Sequence, residues 1–515
     1  MGPRRDRHRY RRRRQLRRAF HRSDRGDCVK GHETTGRNNM LSLYDLRVEY
    51  RNNPIGIDAE APRISWKLRS DRQNVAQRSY RIRVTHGDGV MWDSGIVESD
   101  QSVCVRYAGE ALRPQAEYEV VVSVIDNYGE SACVQGGFET GLMSYQNMAA
   151  DWITHGFADG LEAPAVFTKR FSARGDIVRA RLYASALGVY RFTVNGKEGS
   201  DVRFAPGWTS YQARVQYQTY DVTELLGREN ELVFTVGNGW YKGILGFFNS
   251  GEHYGKRTAL IAQLDIDYAD STSERIVSDA SWGSTTGPIR YSEIYHGEVI
   301  DYTVGEQEAR PAVKYDQSKA VLVAQGSEPV RITERIAAQE LLITPEGDRV
   351  LDFGQNLTGV IELKIRQPRG TVITVRHAEA LDERGNFFTR NLRTARCTDT
   401  FVCSGGDDVF LPDFTYHGFR YIAVSGLEEI RPEQFTACVI HTDLEKSGSF
   451  SCSDERVNRL MHNVDWGLRD NFLDIPTDCP QRDERLGYSG DARSSCLRPC
   501  SAAMWRFSSR SGCRT

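Results

Sequence analysis

The sequence predicts a multidomain, mainly β protein that turns α-helical near residue 450. Two observations carry that expectation. From Leu41 to about Ala437, apolar and polar residues alternate in period two, and Gly, Asn and Asp mark the turns between runs. After Ser453-Asp454-Glu455 the period changes, and Val457, Leu460, Met461, Val464 and Leu468 recur at helical spacing. The length, 515 residues, is enough for several separate cores.

Residues 1–39 carry fourteen Lys and Arg against four Asp and Glu, a local charge of +10. Arg-rich ends can bind nucleic acid, but only Tyr10 and Phe20 are there to stack on bases. The stretch is read as a disordered or mistranslated extension, with Met40 as the natural start of the folded chain. The whole chain has a formal charge of −2, which gives no general reason to expect nucleic acid or a membrane surface as partner. No apolar run reaches the roughly 18 residues of a membrane helix. No apolar stretch follows the basic one as in a secretory leader, so the expected location is cytoplasmic. Eleven scattered Cys without a CxxC pair fit free thiols in a reducing compartment.

Residues 40–145 read as a β-sandwich of fibronectin type III kind. Tyr80-Arg-Ile-Arg-Val84 and Tyr118-Glu-Val-Val-Val-Ser-Val124 are strand runs, Asp126-Asn-Tyr-Gly129 is a turn, and Trp66 and Trp92 belong in the core. Residues 146–305 read as a jelly-roll: Arg191-Phe-Thr-Val-Asn-Gly196 is a strand entering an Asn-Gly hairpin turn, and Glu231-Leu-Val-Phe-Thr-Val236 continues the pattern. Its Trp208, Tyr211, Trp240 and Tyr241 suit either a sugar-stacking platform or a core. Residues 306–445 form a third β unit, in which His417, beside Gly418 and aromatic neighbours, reads as a hydrogen-bonded structural histidine. A helix capped by Ser453 then begins, and Pro476 and Pro480 end it before a loop.

That loop, Asn471-Phe-Leu-Asp-Ile-Pro-Thr-Asp-Cys-Pro-Gln-Arg-Asp-Glu-Arg-Leu-Gly-Tyr-Ser-Gly-Asp491, concentrates five carboxylates and two guanidinia. Glycoside hydrolysis needs a protonated carboxyl at the leaving oxygen, and neighbouring carboxylates raise the pKa of such a group. Others can accept sugar hydroxyls, and Tyr488 offers a ring. An acidic loop is also what a solvated face or an ion-pair network looks like, and composition leaves both open.

The run DIPTDCPQRDERLG followed by Gly490-Asp491 resembles the signature of the bacterial α-L-rhamnosidases, glycoside hydrolase family 78. Upstream, Arg63-Ile-Ser-Trp66, Ala205-Pro-Gly-Trp208, Gly237-Asn-Gly-Trp-Tyr241, His296-Gly-Glu298, Asp352-Phe-Gly-Gln-Asn356 and Tyr416-His-Gly-Phe-Arg-Tyr421 are similar to that family too. The resemblance runs from about residue 41 to 491. It implies β domains followed by an (α/α)6 barrel, here its start at 446–493, and inverting hydrolysis of terminal α-L-rhamnose from glycosides or polysaccharides. It assigns Glu484 as general acid, and Asp478, Arg482, Tyr488 and Asp491 to the rhamnose. Tyr488 stands where the family usually has Trp. No cofactor or metal motif is present.

From Ala492 the chain holds five Arg and no Lys, Asp or Glu, and the resemblance stops. Residues 494–515 are read as an aberrant, out-of-frame tail. In the family the general base follows much later in the barrel. The polypeptide as given is therefore expected to be inactive, with a noncatalytic glycan-binding or structural fragment as the other reading.

Overall fold

The structure is a computed structural model that describes residues 41–305, 307–446, 448–488 and 490. The expectations placed on residues 1–39, on Asp491 and on 494–515 lie outside the described residues. The chain divides into two compact units, parting after Met148.

In the first unit, Ser42–Val48, Arg63–Arg69 and Val105–Arg106 form a three-stranded sheet, and Gly89–Asp93, Val97–Glu98, Gln77–His86, Glu117–Asp126 and Ser131–Glu139 form a five-stranded one. The strict alternation of Gln77–His86 and Glu117–Asp126 puts Ile82, Val84, Val120, Val122 and Val124 inside. Trp66 is buried among them, as expected, and its indole N–H donates to Gln77 Oε1 at 2.9 Å. Trp92 is half-buried against the same core, edge-on to Tyr107.

The second unit begins with a six-stranded and a seven-stranded sheet around one apolar core. The Asn-Gly turn predicted at 195–196 is there, joining Val189–Val194 to Lys197–Glu198. A ten-stranded sheet follows, built mainly on the long strand Arg349–Arg366 and on His417–Ser425. The chain weaves between these layers. Ile289–Glu293 and Gly297–Asp301 join the ten-stranded sheet, through Val299 paired in parallel with Thr400. Arg310–Pro311, Val313–Lys314 and Leu322–Ala324 then return to the first two sheets. The boundary expected near residue 305 runs through this exchange.

The period change near 450 marks helix Glu455–Asn471. Its cap is Asp454, not Ser453: the Asp454 carboxylate accepts the Arg456 N–H at 2.9 Å. A carboxylate at the positive end of the helix dipole gains charge stabilisation that a hydroxyl lacks. Leu468 packs beside Phe472 and Leu444, whereas Leu460 is exposed. Among the described residues the only other α-helix is the single turn Gly239–Lys242, so no helical barrel is seen there. No described helix is long and apolar enough to cross a membrane. Six described cysteines are free thiols, as expected; Cys133 is not, being disulfide-bonded.

Candidate active site

The helix ends in a tight hairpin, Phe472–Leu473 against Ile475–Pro476, with Asp474 at its tip in left-handed backbone (φ 67°). Asp474 is buried. Its N–H donates to Thr442 Oγ1 at 2.9 Å, and its carboxylate accepts the Trp208 N–H at 2.5 Å. Gly207 makes this approach possible, since a Cβ there would lie 2.6 Å from Asp474 Oδ1. Burial, opposed by the Trp208 N–H, pushes the Asp474 carboxyl up to about 7.

The loop then doubles back. Tyr488 N–H donates to Pro476 O at 3.0 Å, Asp478 N–H to Leu486 O at 3.2 Å, and Leu486 N–H to the Asp478 carboxylate at 2.9 Å. The turn between these strands is seated on the ten-stranded sheet. Gly418 lets Pro480 and Gln481 pack directly on the strand, because a Cβ would meet both at 2.9 Å. Gln481 donates to Glu379 at 2.7 Å, and Asn356 holds the other Glu379 oxygen at 3.1 Å. Burial raises Glu379 against these donors.

Arg485 is the main bolt of the loop. Fully buried, it donates to the carbonyls of Tyr416 (2.7 Å), Gln481 (2.8 Å), Ile294 (3.1 Å) and Arg482 (3.2 Å). Its guanidinium lies between the rings of Tyr295 and Tyr416, at 4.9 and 4.8 Å. Tyr295 completes the seat by donating its hydroxyl to Glu484 O at 2.5 Å.

With the backbone so held, Arg482 and Glu484 face outward. Arg482 Nε donates to Glu484 Oε2 at 2.8 Å, and its Nη2 lies 3.4 Å from Asp478 Oδ2. Arg393, which the sequence reading missed, brings Nη2 to 3.2 Å from Glu484 Oε2. Asp483, next to Glu484, is buried instead and accepts Thr394 Oγ1 at 2.6 Å. Asp478 and Glu484 bring carboxyl oxygens within 4.8 Å of each other. Burial and the neighbouring Glu484 carboxyl raise Asp478. On Glu484 a burial effect in the same direction is outweighed by Arg482, Asp478 and Arg393, which hold it below the ordinary range. The sequence argument expects a raised pKa at Glu484; the structure raises Asp478 instead, because two guanidinia hold Glu484 low.

The structure thus brings Asp478, Arg482 and Glu484 together and leaves Tyr488 half-exposed on the same loop. Trp240, Tyr211 and Tyr241 are core residues, and Trp208 is stacked on Trp240 at 5.9 Å. His417 is the structural histidine expected: fully buried, with Nε2 3.2 Å from Asp399 and its ring stacked on His377. Among the described residues, two groups have donors close enough to share a metal ion: His377, Asp399 and His417, and Asp478, Cys479 and Glu484.

Four families match in series: the Rha78A-like N-terminal immunoglobulin domain (43–144), the α-L-rhamnosidase N-terminal domain (175–334), the bacterial α-L-rhamnosidase concanavalin-like domain (343–441) and the six-hairpin glycosidase domain (445–503). The chain belongs to the bacterial α-L-rhamnosidase family. An α-L-rhamnosidase of Alteromonas sp. (strain LOR) is 33% identical over 478 residues, which is 86% of this chain and 52% of that protein. The native Aspergillus terreus α-L-rhamnosidase structure matches with a TM-score of 0.84 and 35% identity, covering 88% of this chain and 55% of that one. The Streptomyces avermitilis α-L-rhamnosidase, solved with L-rhamnose, matches at 0.86 and 28% identity, covering 91% and 64%. The chain spans about half to two thirds of the length of the rhamnosidases it matches.

The resemblance read from the motifs is thereby upheld. What it could not supply was the scaffold around Glu484. Arg393 and Tyr295 sit 91 and 189 residues before Glu484, in segments whose local sequence carries no signal of that contact.

Proposed function

We propose that this chain carries the acid half of an inverting α-L-rhamnosidase site, acting on terminal α-L-rhamnose of glycosides or polysaccharides. The observation that carries it is the Asp478–Arg482–Glu484 cluster, with one carboxyl raised and one lowered, on a loop bolted to the β-sheet. Glu484 is the general acid. Burial and the neighbouring Glu484 favour the protonated form of Asp478, and the guanidinia favour ionised Glu484. When a glycoside engages the guanidinia, their hold on ionised Glu484 loosens, and a proton passes from Asp478 to Glu484 and on to the leaving oxygen. Arg482 and Tyr488 contact the sugar, and so does Asp491.

Asp478 is not the base. Inversion needs a second carboxylate about 6.5–9.5 Å from the acid, on the far face of the ring, whereas Asp478 and Glu484 have oxygens within 4.8 Å. Asp483 is engaged with Thr394. By resemblance to the rhamnosidases, the base belongs to another part of an (α/α)6 six-hairpin domain, in which helix Glu455–Asn471 is the first helix.

The test is Glu484→Gln in the full-length protein. The amide cannot give a proton, and kcat on an alkyl rhamnoside should fall by roughly 10²–10⁴. Rhamnosides of acidic phenols should lose much less, because their leaving oxygen needs less protonation. Equal turnover of both substrates by wild type and variant would remove Glu484 from the mechanism.

A further inference from the structure

Next to Glu484 the jelly-roll raises two aromatic side chains that the site as described leaves unused. Phe247 and Phe248 follow Ile244-Leu245-Gly246, just after helix Gly239–Lys242. Phe247 is 41% exposed and Phe248 90%. A phenyl ring left in water forfeits the gain of burial. Phe248 also adopts φ 65°, a left-handed conformation that its Cβ disfavours. Such unfavourable features cluster at ligand clamps and active sites.

The loop is held on both shoulders. Leu245 N–H donates to Ser250 O at 2.9 Å, and His296 Nε2 meets Asn249 Oδ1 at 2.7 Å. Gly246 N–H donates to the Tyr295 hydroxyl at 3.0 Å, and that same hydroxyl donates to Glu484 O. One phenol therefore fixes the aromatic tip and the acid in register. Arg393 makes a second link, with its guanidinium paired to Glu484 and 5.7 Å from the centre of the Phe247 ring.

We propose that Phe247 and Phe248 form the aglycone platform of the rhamnoside site and take a planar aromatic aglycone. This rests on the rhamnosidase reading above. A general acid donates to the glycosidic oxygen, so the leaving group lies against the acid's open side, where Arg393 and Phe247 stand. A second sugar there would need partners for its hydroxyls. The tip supplies two phenyl rings, 6.1 Å apart and inclined at 49°. The Asn249 side-chain oxygen is already taken by His296. Offset or edge stacking suits an aromatic face, and Arg393 adds a cation–π contact. The same guanidinium faces the negative charge that grows on a phenolic oxygen as the bond breaks.

Free 4-methylumbelliferone, a planar bicyclic phenol, tests the platform without turnover. Titrated into the protein and followed by fluorescence anisotropy, it should bind saturably. Phe247→Ala with Phe248→Ala should weaken binding roughly tenfold, about 1.4 kcal/mol of stacking. Phe248→Trp should keep the binding that Phe248→Ala loses. Ile343→Ala, which removes a side chain 75% exposed elsewhere, should change nothing. No binding to wild type, or equal binding to the double variant, overturns the platform. Glu484-dependent cleavage of rhamnosides without phenol binding would sink the platform alone. Phenol binding at the tip in a full-length protein that cleaves no rhamnoside would sink the enzymatic reading, and the aglycone assignment with it.

Discussion

Arg482 and Arg485 are three residues apart in one motif and do opposite work. Arg482 sits at the mouth of the site and shares its guanidinium between Asp478 and Glu484. Arg485 is sealed beneath it, satisfied by four main-chain carbonyls and two aromatic faces. The carboxylates divide the same way. Asp474 and Asp483 are buried struts, whereas Asp478 and Glu484 face the opening. A charged motif is thus two interleaved sets, one open at the proposed site and one buried that holds the first in place.

The comparison breaks first at Glu484. Its change to Gln should remove up to about four decades of rate on alkyl rhamnosides and leave thermal unfolding nearly unmoved. Arg485→Ala should do the reverse in kind. Each buried acceptor it strands costs about 1–3 kcal/mol, so calorimetry should show a large fall in Tm. If Arg485→Ala kept the wild-type Tm while activity vanished, the division into holding and reacting sets would be wrong.

A smaller effect concerns pH. Asp474 and Asp470 are raised to about 7, and Asp399 to about 6, each chiefly by burial. A carboxyl raised on folding contributes stability that is complete below its unfolded pKa of about 3.9. That contribution is lost as pH rises through the folded value. Buried His155, His296 and His377, lowered to about 4, 4 and 3, act in the opposite sense up to their unfolded pKa of about 6.5, so the drop in Tm should show chiefly between about pH 6.5 and pH 8. Asp474→Asn keeps an acceptor for the Trp208 N–H and should flatten part of that drop. An unchanged slope would place the titration elsewhere.

The smallest effect belongs to Arg393, 43% exposed as a side chain. A pair this open to solvent is worth about 0.2–1 kcal/mol. Arg393→Gln should move the alkaline limb of the kcat/KM profile upward by less than about one pH unit. A downward move would mean that Arg393 does not face Glu484 in the working enzyme.

The period-two runs and the helical stripe made the layers legible, and Trp66 declared itself as core. The motif also named Asp478, Arg482 and Glu484. It could not say that Asp474 and Arg485 point inward, because identical charges serve both roles and only burial separates them. Arg393, Tyr295 and Phe247 come from distant loops, and their contacts arise from sheet topology. The helix cap was misplaced by one residue because Ser453 and Asp454 are both good caps.

The strand exchange around residue 305 has a consequence for how the chain comes together. Gly297–Asp301 pairs locally with Ile289–Glu293, but its other edge finds a partner only when Thr398–Val402, about a hundred residues later, is in place. Until then it presents a bare strand edge, the kind of surface that recruits other chains. The segment that returns, Arg310–Ala324, meanwhile completes sheets begun before it. The two layers must condense as one cooperative event, with the slow kinetics that long-range pairing imposes.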